Sequence, residues 1–94
     1  MWCIQYEREA RKQYKRFIKN SPFEDTFQRQ IAAMKIHPLY EPPAYEELQW
    51  DMKGLFSRRI TRKDRIVYYF DATPSEACEG TVFVLACWGH YAEH

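Results

Sequence analysis

The sequence predicts an α+β fold, a mostly antiparallel sheet of about four strands with an N-terminal helical hairpin packed on one face. Three observations point there. Apolar spacing changes from period two over Met1 to Tyr6 to helical spacing from Glu7 onward. A Ser-Pro-Phe-Glu run at Ser21 to Glu24 restarts a helix just after Asn20. Strand-like runs then crowd the second half, around 56–61, 65–70 and 81–88. With 94 residues, 46% hydrophobic and 17% aromatic, the chain suits one domain over residues 1–94 with one core.

Trp2, Ile4 and Tyr6 alternate with Cys3 and Gln5, as a half-buried strand requires. Tyr6, Ala10, Tyr14, Phe17 and Ile18 then recur on one helical stripe, with Lys and Arg between them. Glu7 and Glu9 suit the first turn of this helix, Lys15, Arg16 and Lys19 suit the last, and Asn20 stops it. Ser21 as N-cap, Pro22 at the first position and Glu24 at the third form a capping box for a second helix. Phe23, Phe27, Ile31 and Met34 give it an apolar face, and His37-Pro38 ends it, since the residue before proline avoids the α region. The two helices form an antiparallel hairpin.

Residues 37–55 hold Pro38, Pro42, Pro43 and Gly54 and read as a mostly irregular loop rich in acid (Glu41, Glu46, Glu47, Asp51). Phe56 to Thr61 and Arg65 to Phe70 are strands joined by a turn around Arg62-Lys63-Asp64. Alternation places Ile66, Tyr68 and Phe70 on one face and Arg65, Val67 and Tyr69 on the other. Thr81 to Trp88 is almost continuously apolar, the pattern of a central strand buried on both faces.

The net charge of +1 conceals a segregation. Arg8, Arg11, Lys12, Lys15, Arg16 and Lys19 form one basic group, Lys53 to Arg65 contains another, and no Lys or Arg follows Arg65. Such sorting favours a polyanionic partner, although helical spacing alone places the first group in solvent. Cys3, Cys78 and Cys87 lack the spacing of a zinc site. Free, buried thiols in a reducing compartment are therefore expected. No signal peptide or membrane-spanning run is visible, which points to a cytoplasmic protein without a membrane partner.

The chemistry gathers around the hairpin. Arg58, Arg59, Arg62, Lys63 and Arg65 fall within eight residues, with Asp64 the one acid among them. The last strand runs on through Gly89 to His90 and Tyr91. A histidine near the end of a sequence is ordinarily just exposed. If the last strand pairs with 65–70, however, His90 and Tyr91 lie near Arg65, within reach of a carboxylate from the acidic loop. Acid, base and guanidinium together suit RNA cleavage without metal or other cofactor. A base takes the 2′-hydroxyl proton, a cation stabilises the phosphorane, and an acid protonates the leaving 5′-oxygen.

Gly54-Leu55-Phe56-Ser57-Arg58-Arg59-Ile60, then Asp64-Arg65-Ile66-Val67-Tyr68, then Ala86-Cys87 leading to His90-Tyr91, resembles the YoeB branch of the RelE-like toxins. These are the toxin halves of bacterial type II toxin–antitoxin pairs. The resemblance is specific over the last forty or so residues and extends to the first half only in layout. It implies a compact sheet with two helices, and metal-free endonucleolytic cleavage of mRNA in the ribosomal A site through 2′-hydroxyl attack. It implies mRNA, the 70S ribosome and a cognate antitoxin as partners, with a homodimer as one assembly. By position, Glu46 becomes the general base, Arg65 the phosphate-stabilising cation, His90 the general acid and Tyr91 an orienting or stacking group. Arg58, Arg59, Arg62 and Lys63 become RNA contacts.

The sequence departs from the family pattern in several places. Tyr45-Glu46-Glu47-Leu48 replaces a Pro-Glu-Pro-Leu, so Glu47 competes with Glu46. Gln49 stands where lysine is common, Asp64 replaces a histidine, Gly89 replaces an aromatic, and Ala92-Glu93-His94 extend past the usual end. A weakened, RNA- or partner-binding homologue on the same fold is the alternative reading. A ribonuclease that needs no ribosome is a third.

Overall fold

A computed structural model describes residues 1–89. Strand β1 (Cys3–Tyr6) leads into helix α1 (Arg8–Gln13), which widens into a π-helical turn over Tyr14–Ile18. Helix α2 (Glu24–Ile36) follows, then strands β2 (Glu46–Glu47), β3 (Phe56–Arg59), β4 (Arg65–Asp71) and β5 (Thr81–Ala86). They form one five-stranded sheet in the order β1-β5-β4-β3-β2. All neighbours are antiparallel except β1 and β5, which run parallel. The additional strand relative to the expected four is β2, two residues inside the proline-rich loop.

Asn20 does stop the first helix, in the left-handed region at φ 60. The expected capping box is displaced rather than absent. The Ser21 hydroxyl accepts from the Phe23 N–H at 3.1 Å and donates to the Ile18 carbonyl at 2.6 Å. Glu24 reaches back to accept from the Asn20 N–H at 2.8 Å and from the Tyr14 hydroxyl. His37 is extended (φ −167, ψ 140), so α2 ends where the following proline requires.

The core lies between the helices and one face of the sheet. Ala10, Ile18, Phe27, Ile31 and Met34 meet Trp2, Ile66, Tyr68, Val82 and Val84, all buried. Full burial of each large side chain contributes roughly 1.5–3 kcal/mol. Strand β5 is interior to the sheet, between β1 and β4, but is not evenly buried on both faces. Val82 and Val84 are buried while Thr81, Phe83 and Leu85 are only half-buried, because the helices cover one side.

The cysteines depart from expectation. Cys3 and Cys78 form a disulfide that ties the start of β1 to the loop before β5. Sequence distance hid this pairing, since parallel alignment of β1 with β5 brings Cys3 opposite Thr81. Cys87 alone is free; it is buried, its thiol donates to the Ala10 carbonyl at 3.3 Å, and burial pushes its pKa up to about 12.

Candidate active site

The register of β2, β3 and β4 sets three side chains on one face. Glu46 lies opposite Ser57, and Ser57 lies opposite Val67, two residues beyond Arg65 on the same face. The Arg65 guanidinium donates from Nη1 to the Glu46 carboxylate and, at 3.2 Å, to the Ser57 hydroxyl. Glu47 faces the opposite way by strand alternation, paired with Phe56, so Glu46 is the carboxylate that reaches Arg65. Arg59 stands directly across from Arg65. Like charges in such a pair repel. With two guanidiniums and one carboxylate among the described residues that line it, the spot keeps an excess of positive charge that suits a phosphate.

These groups line a cleft of about 390 Å³ with Gln30, Pro43 and Ala44. Arg65 forms its floor, with only 10% of its side chain exposed, whereas 60% of the Glu46 side chain is exposed. Arg59, Arg62 and Lys63 are exposed around it.

Arg58, expected from sequence among the RNA contacts, is fully buried and unavailable to a ligand. Strand alternation turns it toward the helices, beneath the proline-rich loop. It donates from Nε to the Tyr68 hydroxyl (3.1 Å) and from Nη1 to Gln30 Oε1 (3.3 Å) and the Pro43 carbonyl (2.9 Å). From Nη2 it donates to the carbonyls of Pro38 (3.0 Å) and Tyr40 (2.7 Å). The planar fork thus gathers three loop carbonyls and fixes the segment that enters β2 at Glu46. The Tyr68 hydroxyl donates to the Pro38 carbonyl at 2.6 Å, and burial raises its pKa against the opposing pull of Arg58.

The segment after β5 is brought beside Arg65 as far as Gly89. Strand β5 pairs with β4, and the Gly89 carbonyl accepts from the Arg65 N–H at 2.9 Å. The Asp64 carboxylate accepts the Gly89 N–H at 3.0 Å and, through its other oxygen, the Thr61 hydroxyl at 2.7 Å. Gly89 has φ +83, a conformation that favours glycine over the aromatic the resemblance would place there. His90 and Tyr91 lie outside the described residues. Gln49 is exposed and, among the described residues, donates only to the Glu47 carbonyl at 3.4 Å.

Sequence reasoning missed Ser57, Gln30 and the clamp function of Asp64. Gln30 left a signal, as a polar residue next to Ile31 on the apolar stripe of α2. It is 5% exposed and donates to the Arg59 carbonyl at 3.0 Å.

A family model described as the YoeB-like toxin of bacterial type II toxin–antitoxin systems matches residues 6–91. No curated protein sequence matches. Among solved structures, the fold is similar to a YoeB/ParE toxin from Agrobacterium tumefaciens (TM-score 0.78, 24% identity, covering 95% of this chain and 99% of that one). It is also similar to a Staphylococcus aureus YoeB dimer (TM-score 0.75, 23% identity, 96% and 98% covered). A third similar structure is the toxin chain of the heterotetrameric YoeB–YefM complex from S. aureus (TM-score 0.74, 22% identity, 97% and 99% covered). A match over nearly the whole sequence, on the fold of these toxins, identifies the chain as a member of the YoeB-like toxin family of bacterial type II toxin–antitoxin systems.

Proposed function

We propose that the protein is a ribosome-dependent mRNA endonuclease that cuts in the A site by metal-free attack of a 2′-hydroxyl, inhibiting translation. The observation that carries the reading is the convergence of Glu46 and Arg65 in one cleft, with Gly89, the residue before His90, held to the Arg65 backbone. In this reading Glu46 takes the 2′-hydroxyl proton and the 2′-oxygen attacks the adjacent phosphorus. Arg65 stabilises the charge on the phosphorane. His90 returns a proton to the departing 5′-oxygen, leaving a 2′,3′-cyclic phosphate, and Tyr91 orients or stacks. Arg59, Arg62 and Lys63 grip phosphates by charge.

The partners are mRNA on the 70S ribosome and a cognate antitoxin. The antitoxin complex and the dimer formed by the S. aureus relatives support an antitoxin and a second copy of this chain as binding partners. The site of action is the cytoplasm, where glutathione and thioredoxin would keep the Cys3–Cys78 pair reduced. A binding-only homologue is the second reading, favoured by the uncharged Gln49 that follows β2.

Induction of the protein in bacteria, followed by mapping of mRNA ends, tests the proposal. Wild type should give new ends within translated codons, and His90→Gln should not. Uninterrupted translation and an absence of cut sites in both would rule out the enzyme.

A further inference from the structure

The sheet face opposite the helices carries a row of three side chains at a single register. Gln5 of β1 lies opposite Phe83 of β5, and Phe83 lies opposite Tyr69 of β4. Alternation places Tyr69 on the same face of β4 as Arg65, four residues away, or about 13 Å along the strand. The Tyr69 and Phe83 rings are stacked, with centroids 4.9 Å apart and planes 16° from parallel. Tyr69 is 37% exposed, and Gln5 is exposed as well. An outward sheet face ordinarily carries polar residues at these positions.

We infer that Tyr69, Phe83 and Gln5 form a binding row for an unpaired nucleobase of the RNA strand whose phosphate lies at Arg65. The inference rests on the nuclease reading and extends it to the substrate beyond the cleft. Aromatic rings on an open sheet face stack single-stranded bases, and a neighbouring amide can bond to a base edge. The charge along the face fits such a strand. Arg59 and Arg65 lie at one end, where the phosphates would sit, and the rings themselves are uncharged. Asp71, two residues beyond Tyr69 on β4, marks the far limit with a carboxylate turned to the Thr73 N–H. The accessible apolar strip is two rings and Leu85, beside the buried Val67, bounded by Gln5 and Asp71. An amphipathic helix needs anchors along several turns, more than this strip offers.

The test measures binding of a short 2′-O-methyl RNA, which cannot be cut, to wild type, Tyr69→Phe, Tyr69→Leu and Arg65→Ala, with unfolding midpoints confirming that each is folded. The same RNA carrying one abasic position, moved along the strand, is the second probe. Stacking of one base is worth enough that Tyr69→Leu should weaken binding about tenfold. Tyr69→Phe should bind as wild type, and one abasic position should reproduce the loss in wild type but add nothing in Tyr69→Leu. Full affinity in Tyr69→Leu, with Arg65→Ala weakened, overturns the row and leaves the nuclease reading standing. The same holds if Tyr69→Leu impairs only binding to the antitoxin. Failure of wild type to bind RNA at all removes the row and counts against the nuclease reading too.

Discussion

Arg65 and Glu46 meet across β3, the guanidinium nearly buried and the carboxylate mostly in solvent. They come from strands that are not neighbours, and the same guanidinium nitrogen also donates to Ser57 on the strand between them. The asymmetry suits a site in which the cation is fixed and the carboxylate exchanges its partner when substrate arrives. Desolvation makes the fixed charge expensive to hold without an anion, and a phosphate can take that place.

Arg58 holds the loop that delivers Glu46, so its removal should act on the fold before it acts on RNA. Arg58→Met leaves the carbonyls of Pro38, Tyr40 and Pro43 without that donor. A buried acceptor left unsatisfied costs ~1–3 kcal/mol, so a loss of about 3 kcal/mol or more is expected by urea denaturation. Arg59→Ala, on the exposed neighbour, should change stability little. Equal stability of Arg58→Met and wild type would contradict the clamp.

The three thiols separate by environment. In the oxidised native protein, Cys87 is buried and its pKa is raised to about 12, so a thiol reagent at mildly alkaline pH should detect almost nothing. Denaturant alone should release one thiol per chain, and denaturant with prior reduction three. Three reactive thiols without reductant would show that Cys3 and Cys78 are not joined.

Glu24 supplies a pH signature. The Tyr14 hydroxyl, then the Asn20 N–H, hold its carboxyl below the ordinary value of 4.5. A folded pKa below the unfolded one contributes stability that is complete above the unfolded value and is lost as pH falls through the folded value. Wild type should therefore exceed Glu24→Gln in thermal midpoint at neutral pH, with the gap closing well below the carboxylate range. A gap that persists in acid would assign the effect to packing.

The layout was legible because local signals agreed: period two in Met1–Tyr6, the stop at Asn20, and the proline after His37. What escaped the sequence depends on pairings between distant segments. Glu46–Glu47 has no strand signature and pairs only because β3 lies alongside. Arg58 reads as one more cation in a basic run, and only the phase of β3 under the loop turns it inward. Which of Glu46 and Glu47 meets Arg65 likewise needed the register, since alternation sends the two to opposite faces. Asp64 looked like a loss from the family pattern, yet it holds Gly89 beside Arg65.

The most direct measurement is single-turnover cleavage of mRNA on programmed ribosomes by wild type, Glu46→Gln and Glu47→Gln at saturating protein. Loss of a proton-transfer group typically costs ~10²–10⁴-fold. Glu46→Gln should fall by about that much with ribosome affinity retained, while Glu47→Gln should cleave at close to the wild-type rate. Undiminished cleavage by Glu46→Gln would contradict the assignment of the base, and with it the catalytic meaning of the Glu46–Arg65 pair.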